Sequence, residues 1–138
     1  MPSHVSELPS ERLRMTGLRP TRQRVALAEL LFGRGERHFT AEEVHAEAVR
    51  NGVPVSLATV YNTLHQFVEA GLLREVAIES SKTYFDTKTS NHFHFYFENN
   101  GVLVDIETAD IKVENLPKPP EGMEITRIDV LVRLAPSR

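Results

Sequence analysis

From Ser56 to Phe67 the chain runs SLATVYNTLHQF, twelve residues without a single Asp, Glu, Lys or Arg. Val60, Leu64, Phe67 and Val68 recur at helical spacing, which predicts an amphipathic helix with one apolar stripe. Ser56, Thr59, Tyr61, Asn62 and Gln66 fall off that stripe. A helix facing only water is normally dressed with Lys and Glu pairs. A helix that enters a DNA groove instead presents hydrogen-bonding groups able to meet base edges and phosphates. This segment is therefore a candidate recognition helix, and the fold must have a way to present it.

The surrounding elements supply one. Glu11 to Thr16 suits a short helix closed by Gly17, and Thr21 can cap a second helix with an apolar face of Val25, Leu27, Ala28, Leu30, Leu31 and Phe32. Thr40-Ala41-Glu42-Glu43 is a capping box opening a third helix that runs to Asn51-Gly52. Ser56 caps the fourth, and Gly71 stops it. Leu72 to Ile78 and Thr83 to Asp86 are strand-like, with a turn at Glu79–Lys82. Helices followed by a two-stranded hairpin make a winged helix, a helix-turn-helix reader with a β wing.

The expected fold is α+β: an N-terminal winged helix-turn-helix domain over residues 1–86, of which 1–10 are a loose tail, a polar hinge at 87–91, and a small α/β dimerisation domain at 92–138. In the last, Phe93–Phe97 and Val102–Ile106 are expected to pair as strands around Asn99-Asn100-Gly101. A short helix is expected at Asp110–Leu116 and a final strand over Glu124–Leu134. A domain of about fifty residues rarely holds together alone, and pairing with a second copy protects a small sheet. A homodimer follows, which would offer two recognition helices to a two-fold symmetric operator.

Composition narrows the chemistry. No stretch of about eighteen apolar residues exists, which predicts no membrane span, and the polar N-terminus has no secretory core, which predicts a cytoplasmic protein. There is no cysteine. Disulfides, thiolate catalysis and Cys-rich zinc sites are thereby excluded, so any metal must be held by His, Asp or Glu. Net charge is -3, but residues 1–37 hold seven arginines against four glutamates. A basic N-terminal face on an acidic protein is compatible with DNA binding, although a merely solvated surface has the same composition.

Six histidines are present. His92 and His94 lie two apart in a strand-like segment and so share one face, with Phe93, Phe95 and Phe97 turned the other way toward a core. Two imidazoles on one rigid face are half of a first-row metal site; a pair of surface histidines has the same spacing. Asp86 lies just upstream and Asp105 on the neighbouring strand. His38 directly precedes the capped third helix. His4 falls in the tail, His45 on a helix in a structural role, and His65 on the recognition helix, either touching phosphate or facing solvent.

Taken with these residues, Gly17-Leu18-Arg19-Pro20-Thr21-Arg22-Gln23-Arg24, His38-Phe39-Thr40-Ala41-Glu42-Glu43-Val44, Ser56 to Leu64, Ala70-Gly71-Leu72-Leu73 and Tyr84-Phe85-Asp86 resemble the ferric uptake regulator superfamily over Leu13 to Leu134. The resemblance implies a winged-helix domain, a dimerisation domain and metal-dependent repression or activation. It maps the sensing site onto His38, Asp86, His92 and His94, with Asp105 as a further ligand. The structural zinc that most members hold with two Cys-X-X-Cys pairs is absent, since Phe97 and Asn100 stand at the first pair's positions. A second metal site would map onto Asn91, Phe93, Lys112 and Ile128, which cannot ligate. The lack of cysteine and the segment Ile125 to Val130 look most like the iron response regulator branch, whose members sense haem or iron status. His92 or His94 would be the haem ligand here, in a segment that has Phe93 where another histidine is common.

The expected function is a metal- or haem-responsive transcriptional regulator of iron homeostasis that binds double-stranded operator DNA as a homodimer. Arg19, Arg22 and Arg24 would anchor phosphates or a neighbouring groove, while Ser56, Thr59, Tyr61 and Asn62 address the major groove. The cofactor would be iron, manganese or zinc, or haem. The alternatives are a manganese- or zinc-responsive member of the same superfamily, and a DNA-binding protein with inert histidines. An enzyme is not expected: no general base, oxyanion hole or phosphate loop accompanies the histidines.

Overall fold

Capping chemistry sets the helix boundaries of the N-terminal half. In the computed structural model, which describes residues 8–33, 35–79 and 82–137, helix α1 spans Pro9–Met15, α2 Arg22–Phe32, α3 Ala41–Arg50 and α4 Leu57–Glu69. Thr21, Thr40 and Ser56 each accept a hydrogen bond from a backbone N–H of the first turn. At Thr40 the box is complete, because Glu43 also takes the Thr40 N–H at 2.9 Å. Thr40→Ala removes the hydroxyl half of this arrangement and is expected to cost about 1 kcal/mol, read as a lower urea midpoint at unchanged slope.

The helices flanking the α3–α4 turn end in the same way. Gly52 and Gly71 adopt φ of 72° and 82°, a left-handed conformation that costs little without a Cβ. Each lets the next residue reach back: Val53 N–H donates to Ala48 O at 2.8 Å and Leu72 N–H to Phe67 O at 2.9 Å. These are Schellman closures, and they fold Val53 and Leu72 back against the core.

Three short strands complete this half: β1 His38–Phe39, β2 Arg74–Glu79 and β3 Lys82–Asp86. They form an antiparallel sheet in the order β1-β3-β2. The expected two-stranded wing is thus three-stranded. A two-residue strand has no periodicity to read, and β1 is visible only through its pairing with β3. The turn expected at Glu79–Lys82 includes residues 80 and 81, which lie outside the described residues.

Leu13, Leu27, Leu31, Phe39, Val44, Val60, Leu64, Phe67 and Phe85 are completely buried in one core. Each such side chain contributes about 1.5–3 kcal/mol of burial. Phe67 of α4 packs on Phe32 of α2 with ring centroids 5.9 Å apart, and Phe39 of β1 stacks on Phe85 of β3 at 5.9 Å. Of the stripe expected on α4, Val60, Leu64 and Phe67 are buried, with Thr63 added to them, and Val68 is half-buried.

Ser90–Arg138 forms a separate compact unit from Met1–Thr89. It contains β4 Phe93–Phe97, β5 Val102–Ile106 and β6 Leu131–Leu134. Strand β4 is central, antiparallel to β5 and parallel to β6.

Four expectations differ from the structure. The helix at Asp110–Leu116 is absent; a single 3-10 turn at Thr108–Asp110 stands in its place, and Ile111, Val113 and Leu116 lack the periodic partners of an amphipathic helix. The last strand covers only Leu131–Leu134 of the expected Glu124–Leu134. The phenylalanine face is not a closed core: Phe93 is buried, but Phe95 and Phe97 are half-covered. Their cross-strand neighbours Val104 and Val102 are 43% and 46% exposed. The loose tail expected at residues 1–10 already becomes helical at Pro9; residues 1–7, including His4, lie outside the described residues.

Candidate metal centre and nucleic-acid interface

Each unit carries one part of the histidine–aspartate set, and each part is built on a cross-strand pair. In the N-terminal unit His38 of β1 lies directly opposite Asp86 of β3. Their side chains meet with His38 Nε2 3.1 Å from Asp86 Oδ2. Asp86 is 1% exposed, and its other oxygen, Oδ1, accepts the Lys88 N–H at 2.9 Å.

The position of His38 is itself fixed. The Arg37 N–H donates to Thr87 Oγ1 (2.9 Å) and the Thr87 N–H to Arg37 O (3.2 Å). The Arg37 guanidinium grips Glu47 of α3 with both terminal nitrogens, at 3.0 and 2.6 Å. That hydrogen-bonded carboxylate pushes the Arg37 pKa up from its ordinary value, against the opposing effect of burial.

In the C-terminal unit His94 of β4 lies opposite Asp105 of β5. His92 precedes β4 and shares the His94 face, their ring centroids 4.5 Å apart. The ligand atoms of His92, His94 and Asp105 lie within 4.8 Å of one another. Both imidazole Nε2 atoms converge on one oxygen, Asp105 Oδ1, at 3.3 Å from His92 and 3.4 Å from His94. Both histidines are buried.

The electrostatics of this trio call for a cation. His92 Nδ1 is 2.7 Å from the Ser90 carbonyl oxygen. A carbonyl has no hydrogen to give, so Nδ1 is the protonated nitrogen. In the neutral ring Nε2 then carries a lone pair, and it faces a carboxylate oxygen. Two acceptors turned on one another in this way would accommodate a cation between them. A backbone carbonyl holding the far nitrogen is also how metal-binding histidines are commonly oriented. Ligands about 2.1 Å from a first-row ion stand about 3.0 Å apart along an octahedral edge and about 3.4 Å along a tetrahedral one. The separations of 3.1, 3.3 and 3.4 Å fall on that range. The residues present fit a small divalent ion.

The ferric uptake regulator family matches residues 15–133. The chain belongs to that family. The family member described here is a metal-responsive transcriptional regulator and not an enzyme. It is 35% identical over 128 residues to the peroxide operon regulator of Bacillus subtilis, covering 91% of this chain and 87% of that protein. The peroxide-responsive repressor of Staphylococcus aureus is 31% identical, covering 83% and 77% of the two chains. Its fold matches the manganese-containing ferric uptake regulator of Pseudomonas aeruginosa with a TM-score of 0.73 at 24% identity, over 95% of this chain and 99% of that one. The Vibrio cholerae ferric uptake regulator follows at 0.71 and 22%, over 91% and 98%. Among its described residues, no helix of this regulator is long and apolar enough to cross a membrane.

On the reading side, Arg19, Arg22 and Asn62 are exposed. Ser56 and Thr59 are partly occupied by capping: Ser56 Oγ accepts the Thr59 N–H at 3.1 Å and donates to Thr59 Oγ1 at 2.9 Å. The Tyr61 hydroxyl donates to Glu42 of α3 at 2.9 Å, which raises the phenol's pKa. His65 presents an exposed ring 3.8 Å from the Glu75 carboxylate, and His45 is half-buried on α3. Arg24, expected on a phosphate, is held within the protein, with its guanidinium on Gln66 and on the Arg19 carbonyl. Arg37, Glu42, Glu47 and the Ser90 carbonyl carry no sequence signature. Their roles come from contacts between separate elements, and only the folded chain reveals them.

Proposed function

We propose that this protein is a homodimeric, operator-binding regulator of iron homeostasis whose signal is one divalent ion ligated by His38 and Asp86 of the N-terminal unit and His92, His94 and Asp105 of the C-terminal unit. The convergence of two imidazole Nε2 atoms on Asp105 Oδ1, with His92 Nδ1 committed to Ser90, is the observation that carries the reading. Among the described residues of this cluster, the N-terminal unit brings two and the C-terminal unit three of the four to six ligands a first-row ion takes. The Asp86–His92 connection is short enough for both parts to reach one ion, since six residues span at most about 20 Å.

An ion shared in this way fixes the angle between reader and dimer units. Two readers must match the two halves of an operator, so the ion stabilises the DNA-competent population. Arg19 and Arg22 would grip phosphates, and Ser56, Thr59, Tyr61 and Asn62 of α4 would meet the groove. The half-covered apolar face of Phe95, Phe97, Val102 and Val104 supports the homodimer, because a second copy would remove it from water.

A bare ion fits this site better than haem. Both Nε2 atoms already face one carboxylate in a buried setting; a haem iron would have to displace Asp105. A second reading, response to peroxide, is favoured by the relatives named for it. Ferrous iron held by these residues would supply a reductant for peroxide, which manganese in the same place would do far less readily.

The test begins with metal content by mass spectrometry of untagged protein, expected at about one ion per chain. Binding to a duplex selected by the protein from a randomised pool is then titrated with manganese, ferrous iron, zinc and haem in parallel. The reading expects manganese or iron to promote binding. Response to haem alone, or binding indifferent to every addition, would overturn it. Loss of binding on adding peroxide to the iron form, but not to the manganese form, would establish the second reading.

A further inference from the structure

Arg24 looks at first like a third phosphate anchor beside Arg19 and Arg22. Its surroundings point elsewhere. Arg24 Nε and Nη2 both donate to Gln66 Oε1 on α4, at 3.1 and 3.0 Å, and Nη1 donates to the Arg19 carbonyl at 2.9 Å. Three N–H directions of one planar fork are thus committed to two separate elements. The Gln66 oxygen accepts two bonds, which is all its lone pairs allow, and its orientation is dictated because guanidinium has only hydrogens to offer. The Arg19 carbonyl also accepts the Thr21 N–H at 3.0 Å. Thr21 in turn caps α2 through the Arg24 N–H at 3.2 Å. The Arg19–Thr21 turn is therefore locked at its carbonyl and cap, and α4 is tied to it through a single side chain.

We propose that Arg24 is a positioning residue, a strut holding the exposed Arg19–Arg22 turn in fixed register with the groove-reading face of α4, and that Gln66 is its obligatory partner. The proposal rests on the operator-binding reading above. Its chemistry separates strut from anchor. A phosphate can also be bound by Lys as a point charge, although Arg adds bidentate geometry. The strut needs a planar fork reaching two acceptors in different directions, which an ammonium cannot supply. Gln66 carries no charge, so its loss would leave an electrostatic anchor intact but would release a strut.

The experiment compares wild type, Arg24→Lys, Gln66→Leu and the double variant, all manganese-loaded, on the duplex selected by the wild type, across a salt series. Circular dichroism and thermal midpoints confirm that each variant is folded. The strut predicts that Arg24→Lys and Gln66→Leu each weaken binding by roughly tenfold with an unchanged salt slope. It also predicts that the double variant is no worse than either single one. Near-wild-type binding by Arg24→Lys, or by Gln66→Leu, would overturn it, as would additive losses. Arg22→Lys serves as the reference for a phosphate contact and should stay within about twofold. If wild type itself fails to select a duplex, the operator-binding reading fails instead, and the two failures are told apart.

Discussion

Replacing His92 and His94 together by Ala abolishes metal-dependent operator binding, with an expected loss of roughly 100-fold or more, while the dimer persists. Even an outer partner of a metal ligand usually contributes 10–100-fold to affinity, and this change removes two of the proposed ligands and both atoms that face Asp105 Oδ1. The remaining His38, Asp86 and Asp105 would offer one nitrogen and two carboxylates, too few to hold a first-row ion as tightly. The dimer should survive because the apolar face of β4 lies on the other side of the strand from His94. Gel shifts with and without chelator, paired with sedimentation of the same samples, check both halves of the claim. A metal response that persists in the double variant would remove these histidines from the site. Asp105→Asn gives a graded version: it keeps the shape but removes the anionic oxygen, and weakens metal retention without ending it.

The largest structural effect is expected at Phe67. Its ring is fully buried between α2 and the rest of the N-terminal core, against Phe32. Phe67→Ala removes the transfer energy of the ring and leaves a cavity, at a cost of about 3–5 kcal/mol. For a unit of this size that lowers the melting midpoint by on the order of 15 °C or more. Phe67→Leu, which refills most of the volume, should lose well under half as much. Urea unfolding followed by far-ultraviolet circular dichroism measures both. A cost below about 1 kcal/mol for the alanine variant would mean that α4 is not held by this contact. Phe67 also carries the carbonyl that closes the Schellman turn with Leu72. The alanine variant keeps that backbone carbonyl but loses the ring that seats the helix proposed to read DNA, so operator binding should fall along with stability.

Much of the N-terminal half is legible in the residues because its determinants are local. Thr21, Thr40 and Ser56 cap helices through bonds to residues three positions on. Gly52 and Gly71 close them through bonds spanning a single turn. Such interactions are written into four or five consecutive side chains, so the pattern and the structure coincide. The weak places are those without local periodicity. Strand β1 is two residues long and exists only because β3 lies beside it. The segment after Asp110 contains apolar residues at no consistent spacing, and an expected helix dissolved there into irregular chain. The final strand shortened because only Leu131–Leu134 finds β4 to pair with.

The candidate site divides along the same line. By itself the sequence determined that any metal must meet His and carboxylate ligands, that His92 and His94 share one face, and that an uncharged helical surface lies between Ser56 and Phe67. Composition and two- or 3.6-residue periodicity are enough for that. Only the tertiary structure decided that Asp86 faces His38 and that Asp105 Oδ1 receives both imidazoles. The same holds for the commitment of His92 Nδ1 to Ser90 and of the Arg24 fork to Gln66 rather than to an exposed position. Strand register and helix packing are settled by the burial of whole faces at once. A pairing between residues far apart in the chain therefore leaves no mark on the neighbours of either one.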